Sequence, residues 1–301
     1  MSFSTEVKNE LCRVSMQRAC CTRAEAYGAL LHATVFSHRE IRLSTENAVV
    51  ARRLQALLQR AFFVVCEPQR QGRKYQIVVD QPTQIGRIFD ALGYDRKSHV
   101  TYHLNRNELE EECCLASFLR GAFLMAGTVA GPEKKSHLEL KSGHQSLAGE
   151  ETSLLLDLGL SPKLARRGGA CLLYFKDSAS VEDFLTRIGA PHAAMALMEA
   201  KVEKNLRNTI NRQVNCETAN MNKTAAAAYE QIDNILLIKE KTGLHKLPKN
   251  LFEMAEVRLN YPELTIKELG EKMDPPVGKS GVYHRLKKLN QMAEELRDRG
   301  E

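Results

Sequence analysis

"ACCTRAEAYGALLHATVF" (Ala19–Phe36) and "ECCLASFLRGAFLMAGTV" (Glu112–Val129) are one pattern written twice. Set 93 residues apart without a gap, they align Cys20 with Cys113, Cys21 with Cys114, Gly28 with Gly121, Ala29 with Ala122, Leu31 with Leu124 and Ala33 with Ala126. Glycine and alanine lack the bulk that normally holds helix axes apart, so two such helices can pack side by side at short range. The repeat therefore predicts a seam between two pseudo-symmetric halves, with Gly28, Ala29, Gly121 and Ala122 on it.

The flanking sequence repeats too. After the first copy come a strand-like "EIRLST", an amphipathic helix "NAVVARRLQALLQRAF", two strands in "FVVCEPQRQGRKYQIVVD" turning at Gly72, and a helix "PTQIGRIFDALG". After the second come "HLELKS", a helix "GEETSLLLDLGL", strands around "KLARRGGACLLYF", and a helix "ASVEDFLTRIG". The expectation is an α+β domain over residues 1–198, its repeats at about 19–98 and 112–190.

The order of elements and the small-residue helices resemble the LAGLIDADG homing endonucleases, whose motif in each half is an interface helix ending in acidic residues. That resemblance implies a pseudo-two-fold double repeat with the strands forming a saddle over duplex DNA. It also places Ala33 and Ala126 where that family carries its catalytic acids, and Leu31 and Leu124 on the preceding aspartate positions. Metal-assisted phosphodiester cleavage needs carboxylates that hold the ion between attacking and leaving oxygens, and alanine cannot supply them. No catalytic residue is expected, and His32 alone reads as a packed side chain. Basic residues also recur: Arg70, Arg73 and Lys74 stand 93 positions before Lys163, Arg166 and Arg167. They are candidate phosphate contacts, the alternative being solvated hairpin tips.

At 301 residues with a net charge of +6, the chain accommodates one large domain and a small one, and permits an anionic partner without demanding it. The N-terminus "MSFSTEVKNELCRV" has no apolar core of a signal peptide and reads as a helix capped by Ser4 or Thr5. No apolar run reaches membrane-spanning length, so no membrane partner is expected. The eight cysteines include two adjacent pairs and no C-x-x-C. That spacing indicates neither a zinc site nor a disulfide framework, and no metal or cofactor is expected. Reduced thiols in a cytoplasmic protein are the economical reading, with a redox switch as the alternative.

Residues 199–223 read as a polar linker helix. Asn208, Asn211, Asn215, Thr218 and Asn222 recur at spacings of 3, 4, 3 and 4, one stripe on a helix, with Leu206, Ile210, Val214 and Met221 on the other side. Asparagine is a poor helix former, so the stripe predicts a contact surface rather than mere solvation. Arg207, Arg212 and Lys223 beside it suit phosphates or an acidic protein patch.

This stretch, with "NRQVNCETAN" and the later "GKSGVYHRLKKL", resembles the WhiA family of bacterial regulators along the whole chain. The resemblance implies a degenerate LAGLIDADG domain joined to a helix-turn-helix, in a DNA-binding transcription factor of sporulation or cell division without nuclease activity.

The residues of 224–301 support an all-α helix-turn-helix domain independently. "TAAAAYEQIDNILLIKEKTG" and "PKNLFEMAEVRLNYP" read as helices. "LTIKELGEKM" opens with a capping box, Thr265 to Glu268, and a staple, Leu264 to Leu269. After "DPPVGK", Ser280 is placed as the cap of "SGVYHRLKKLNQMAEEL", whose Val282, Leu286, Leu289, Ala293 and Leu296 form a buried stripe. On the open side, Ser280, Tyr283, His284 and Lys287 are the candidate base readers, and Arg285 and Lys288 the phosphate holders.

The function expected is a sequence-specific, nucleoid-associated DNA-binding regulator of sporulation, cell division or chromosome segregation. Double-stranded DNA is the partner expected, and docking on RNA polymerase or another regulator is the alternative. A metal-dependent endonuclease would require acids that positions 33 and 126 lack.

Overall fold

Ser2 opens the first helix, α1 (Phe3–Leu11), by accepting the Thr5 N–H, two residues before the earlier of the positions expected for the cap. The computed structural model describes residues 2–95 and 103–298, and it divides into units Met1–Lys204 and Asn205–Glu301. The ends expected near residue 98 and at 301 lie outside the described residues.

In the first unit, α2 (Ala19–Leu31) leads into β1 (Val35–Phe36), β2 (Ile41–Thr45), α3 (Ala48–Phe62), β3 (Gln69–Gln71), β4 (Lys74–Val79) and α4 (Pro82–Leu92). The series then repeats as α5 (Glu112–Ala126), β5 (Gly127–Val129), β6 (Leu138–Ser142), α6 (Gln145–Asp157), β7 (Lys163–Arg167), β8 (Ala170–Phe175) and α7 (Ser178–Ile188). Each half is a four-stranded antiparallel sheet, β1-β2-β4-β3 and β5-β6-β8-β7. This is the α+β double repeat expected. Local signals set its joints. Asn47 caps α3 and Asp177 caps α7 through side-chain oxygens, while Gly72 and the Gly168–Gly169 pair take the left-handed backbone of the two hairpin turns.

The seam is the crossing of α2 and α5. A Cβ on Gly28 would overlap the Phe118 carbonyl, and one on Gly121 would overlap the Glu25 carbonyl. Around the crossing, Tyr27, Leu30, Phe118, Phe123 and Leu124 are fully buried, each contributing about 1.5–3 kcal/mol of apolar burial. A charged group lies in the same seam: Glu25 of α2 binds Arg53 of α3 at 2.5 and 2.7 Å and Arg120 of α5 at 2.9 Å.

The 93-residue register holds through the first strands, where Phe36 matches Val129, and then shifts. The turn from Val129 to Leu138 is longer than that from Phe36 to Ile41. Beyond it the equivalent hairpin positions are Arg70 and Arg166, which are 96 apart. The one-to-one match of basic residues expected at 93 is therefore corrected. Both clusters do lie on the β3–β4 and β7–β8 hairpins.

A single helix, α8 (Pro191–Lys241), absorbs the predicted boundaries at 198 and 223, so the linker is not a separate helix. The second unit continues with α9 (Lys249–Asn260), α10 (Ile266–Glu271) and α11 (Lys279–Asp298). Its core gathers Ile235, Ile238, Leu251, Met254, Leu269, Val282, Leu286, Leu289 and Ala293, with Leu264 and Leu296 packed against it.

Candidate nucleic-acid interface

Every fourth or third residue of α11 from Val282 to Ala293 is buried, which fixes the helix's rotation and leaves the opposite side to solvent. Thr265 caps α10 with both hydrogen bonds of a capping box: its N–H donates to Glu268 at 2.8 Å, and its Oγ1 accepts the Glu268 N–H at 3.4 Å. The Thr265 N–H and its hydroxyl, which donates to the same carboxylate at 2.8 Å, hold Glu268 below the usual carboxylate range. The following turn folds tightly back: Val277 N–H donates to the Gly270 carbonyl at 2.9 Å, and a side chain on Gly270 would meet the Val277 backbone. Arg258, buried in α9, pins the loop before α10 by donating to the Leu264 carbonyl at 2.8 Å. Asn234 of α8 accepts from Arg297 at 2.7 Å and donates to Asn290 at 3.2 Å, anchoring the far end of α11.

That scaffold displays Ser280, Tyr283, His284, Lys287 and Lys288, all exposed, with the Tyr283 and His284 rings edge to face at 5.9 Å. Two expectations change. The helix starts at Lys279, so Ser280 lies in its first turn and is not the cap. Arg285 is half-buried and turned inward, donating to the Asn250 carbonyl at 3.5 Å and lying 3.6 Å from the Met273 sulfur. Its guanidinium supports the domain more than it faces outward.

The first unit's sheets offer a second basic surface. Arg70, Arg73, Lys74, Lys163, Arg166 and Arg167 are all exposed, but strand pairing separates them. Opposite residues in an antiparallel pair share a face. Lys163 pairs with Tyr174 and Arg167 with Ala170, on the face away from the helices, and Lys74 lies on the corresponding face of its own sheet. Arg70 and Arg166 pair with Tyr75 and Cys171 on the helix side, where Arg166 bonds the Gln145 side chain. Alternation along β2 and β6 adds Arg42 and exposed Lys141 to the outer face. The sequence reading missed both, although period-two alternation within "IRLST" and "LELKS" carries the signal. Lys8 lines a shallow cavity beside Lys74, Ser44 and Thr128, and burial pushes its ammonium down to about 8.

On α8, Asn208, Asn211, Asn215, Thr218 and Asn222 are exposed, as are Arg207, Arg212 and Lys223. The apolar stripe on the other side is exposed as well, Leu206 by 61% and Met221 by 72%.

At the ends of the seam helices, Ala126 closes α5 and Ala33 follows α2. The titratable pair there is His32 and Glu151, 3.3 Å apart and buried. Among the described residues, no group of three carboxylates or imidazoles lies close enough to hold a metal ion. Nor is any helix of the described residues long and apolar enough to cross a membrane.

The chain matches the profile of the WhiA LAGLIDADG-like domain over residues 115–207 and that of the WhiA C-terminal HTH domain over 210–293. It is 39% identical to the probable cell division protein WhiA of Ruminiclostridium cellulolyticum, covering 99% of this chain and 98% of that protein. It is 37% identical to the protein of the same description from Alkaliphilus metalliredigens, covering 100% and 99%. The full-length DUF199/WhiA crystal structure from Thermatoga maritima superposes with a TM-score of 0.60 at 25% identity, over 98% of this chain and 99% of that one.

Proposed function

The chain belongs to the WhiA family, and from that premise we propose that it is a sequence-specific DNA-binding transcription regulator of cell division, chromosome segregation or sporulation. The exposed side of α11 carries the proposal. A capped two-helix scaffold presents Tyr283, His284 and Lys287 where a recognition helix meets base edges. Lys288 beside them adds phosphate affinity without sequence information. The family's HTH domain spans these residues, and the relatives' description supplies the cell-division context.

In this reading the first unit is an endonuclease scaffold without cleavage chemistry, as alanine at 33 and 126 supports. Its outer face, with Lys74, Lys163 and Arg167, steadies DNA through phosphates. The protein works in the cytoplasm on the nucleoid. The exposed polar and apolar stripes of α8 favour a protein contact as well, with RNA polymerase or another regulator as the partner.

Genome-wide capture of bound DNA tests the proposal by comparing wild type with a His284→Ala/Lys287→Ala variant. Sharp peaks sharing a motif in wild type and lost in the variant are expected. Unchanged peaks place the reader on the first unit or on α8 and sink the assignment to α11.

A further inference from the structure

We propose that Cys20, Cys21, Cys113 and Cys114 together form a mononuclear tetrathiolate site for a thiophilic divalent cation, Zn²⁺ by its coordination chemistry, where α2 and α5 begin. The two adjacent pairs lie in different repeats, and only the crossing of α2 and α5 brings them together. Their four sulfur atoms all lie within 4.8 Å of one another, and those of Cys20 and Cys21 are 4.0 Å apart. A tetrahedral ion with Zn–S bonds of about 2.3 Å holds its sulfurs ~3.8 Å apart. Side-chain rotations that draw the sulfurs in by less than about 1 Å therefore complete the site. An iron–sulfur cluster is a worse fit, because its cysteines are divided among two or four irons and the sulfurs stand further apart.

Each pair occupies the first turn of its helix, and neither helix has a side-chain cap, so the positive dipole ends lie near the cysteines. Four thiolates on a dication leave a double negative charge. Arg18 stands against it, its Nη1 3.6 Å from the Cys113 sulfur. Cys114 is buried and Cys20 is exposed, so the site is anchored on one side and reachable on the other. An open cavity of about 300 Å³ lined by Arg18, Cys21, Cys113 and Ser117 provides the approach. A disulfide is the competing use of the same thiols. Within either pair it would break the first helical turn, and across the seam it would require two sulfurs to close to about 2.05 Å and leave the other two unused.

The test is a Co²⁺ titration of the full chain, kept reduced and free of oxygen. The expected result is about one Co²⁺ per chain, with the intense visible bands and sulfur-to-metal charge transfer of tetrahedral thiolate coordination, displaced by Zn²⁺. Zn²⁺ should also shield Cys20, Cys21, Cys113 and Cys114 from alkylation while exposed Cys216 still reacts. Cys113→Ser should lower the charge-transfer intensity, which scales with the number of thiolate ligands, and Cys216→Ser should keep it in full. If Cys113→Ser does not fold, Cys20→Ser, at an exposed position, replaces it. Absence of the thiolate bands in wild type overturns the proposal. So does their undiminished intensity in the cluster variant, or a cross-seam disulfide whose reduced form takes up no metal.

Discussion

Glu25→Ala removes the one carboxylate between two guanidinium groups in the seam. It accepts three hydrogen bonds, from Arg53 at 2.5 and 2.7 Å and from Arg120 at 2.9 Å, and the three residues are 1%, 4% and 6% exposed. Removing one partner of such a group leaves charge in a dry site at a cost of about 3–5 kcal/mol. Some acceptors survive: Arg53 keeps the Cys12 and Val14 carbonyls, and Arg120 keeps Ser117 Oγ and the Ile188 carbonyl. The lower end, about 3 kcal/mol, is therefore expected. For a unit of this size that lowers the melting transition by roughly 6–12 °C. Calorimetry should show that transition moving while the second unit's stays. Amide exchange in α2 and α5 should accelerate about a hundredfold if it proceeds by unfolding of the unit. Replacing Glu25, Arg53 and Arg120 together by apolar residues of similar volume should recover much of the loss. A shift under about 2 °C would refute the claim that this charge group is integral to the seam.

Three further outcomes are expected. Gly121→Val should cost several times more than a surface change, because its side chain meets the Glu25 backbone, which cannot rotate aside; a denaturant midpoint within error of wild type would contradict the close crossing. Lys288→Ala should weaken binding to all DNA sequences alike and lower the salt slope of log K by about 0.9, whereas His284→Ala should chiefly erode discrimination, by about 1–3 kcal/mol per site. Burial alone would depress the His32 imidazole, but the charge of Glu151, 3.3 Å away, leaves it above its ordinary value. A raised folded pKa gives stability that is full below the unfolded value near 6.5 and is lost as pH rises through the folded one. The first unit's unfolding midpoint should therefore fall as pH climbs above about 6.5, and His32→Gln should flatten that fall.

The fold was legible where a physical constraint leaves a local mark. Small residues at a close crossing, Asn47 and Asp177 at helix starts, Gly72 in a turn and the Thr265–Glu268 box are each written within a few positions. The apolar stripe of α11 was legible for the same reason, and it oriented the candidate readers by elimination. Long-range partners left no such mark. Nothing in "RRLQ" says that Arg53 reaches Glu25, and nothing near Arg285 says that it turns to Asn250. The register slip after Val129 was hidden because both hairpins stay basic at either offset. Strand alternation sets Arg166 and Arg167 on opposite faces, and pairing shows that Arg167 is the outer one.

The alanines and the seam bear on why such a scaffold persists. In an enzyme the crossing helices would have two tasks, joining the halves and delivering acids to a metal. Here the second task has no residue to perform it at 33 or 126, yet the first is met with full stringency, by glycines that tolerate no Cβ and by a charge group sealed against water. Packing and chemistry are thus separable in this fold, because the contacts that hold the halves together lie along the helices and the acids belong at their ends. A unit with alanine at 33 and 126 still sets two basic hairpins in fixed register within its own body. That rigid spacing would be useful to a regulator only if the outer sheet faces meet an anionic partner. Neutralising Lys74, Lys163 and Arg167 together should then lower affinity for long DNA while leaving sequence preference unchanged. An unaltered affinity would mean that the seam is kept for some other contact.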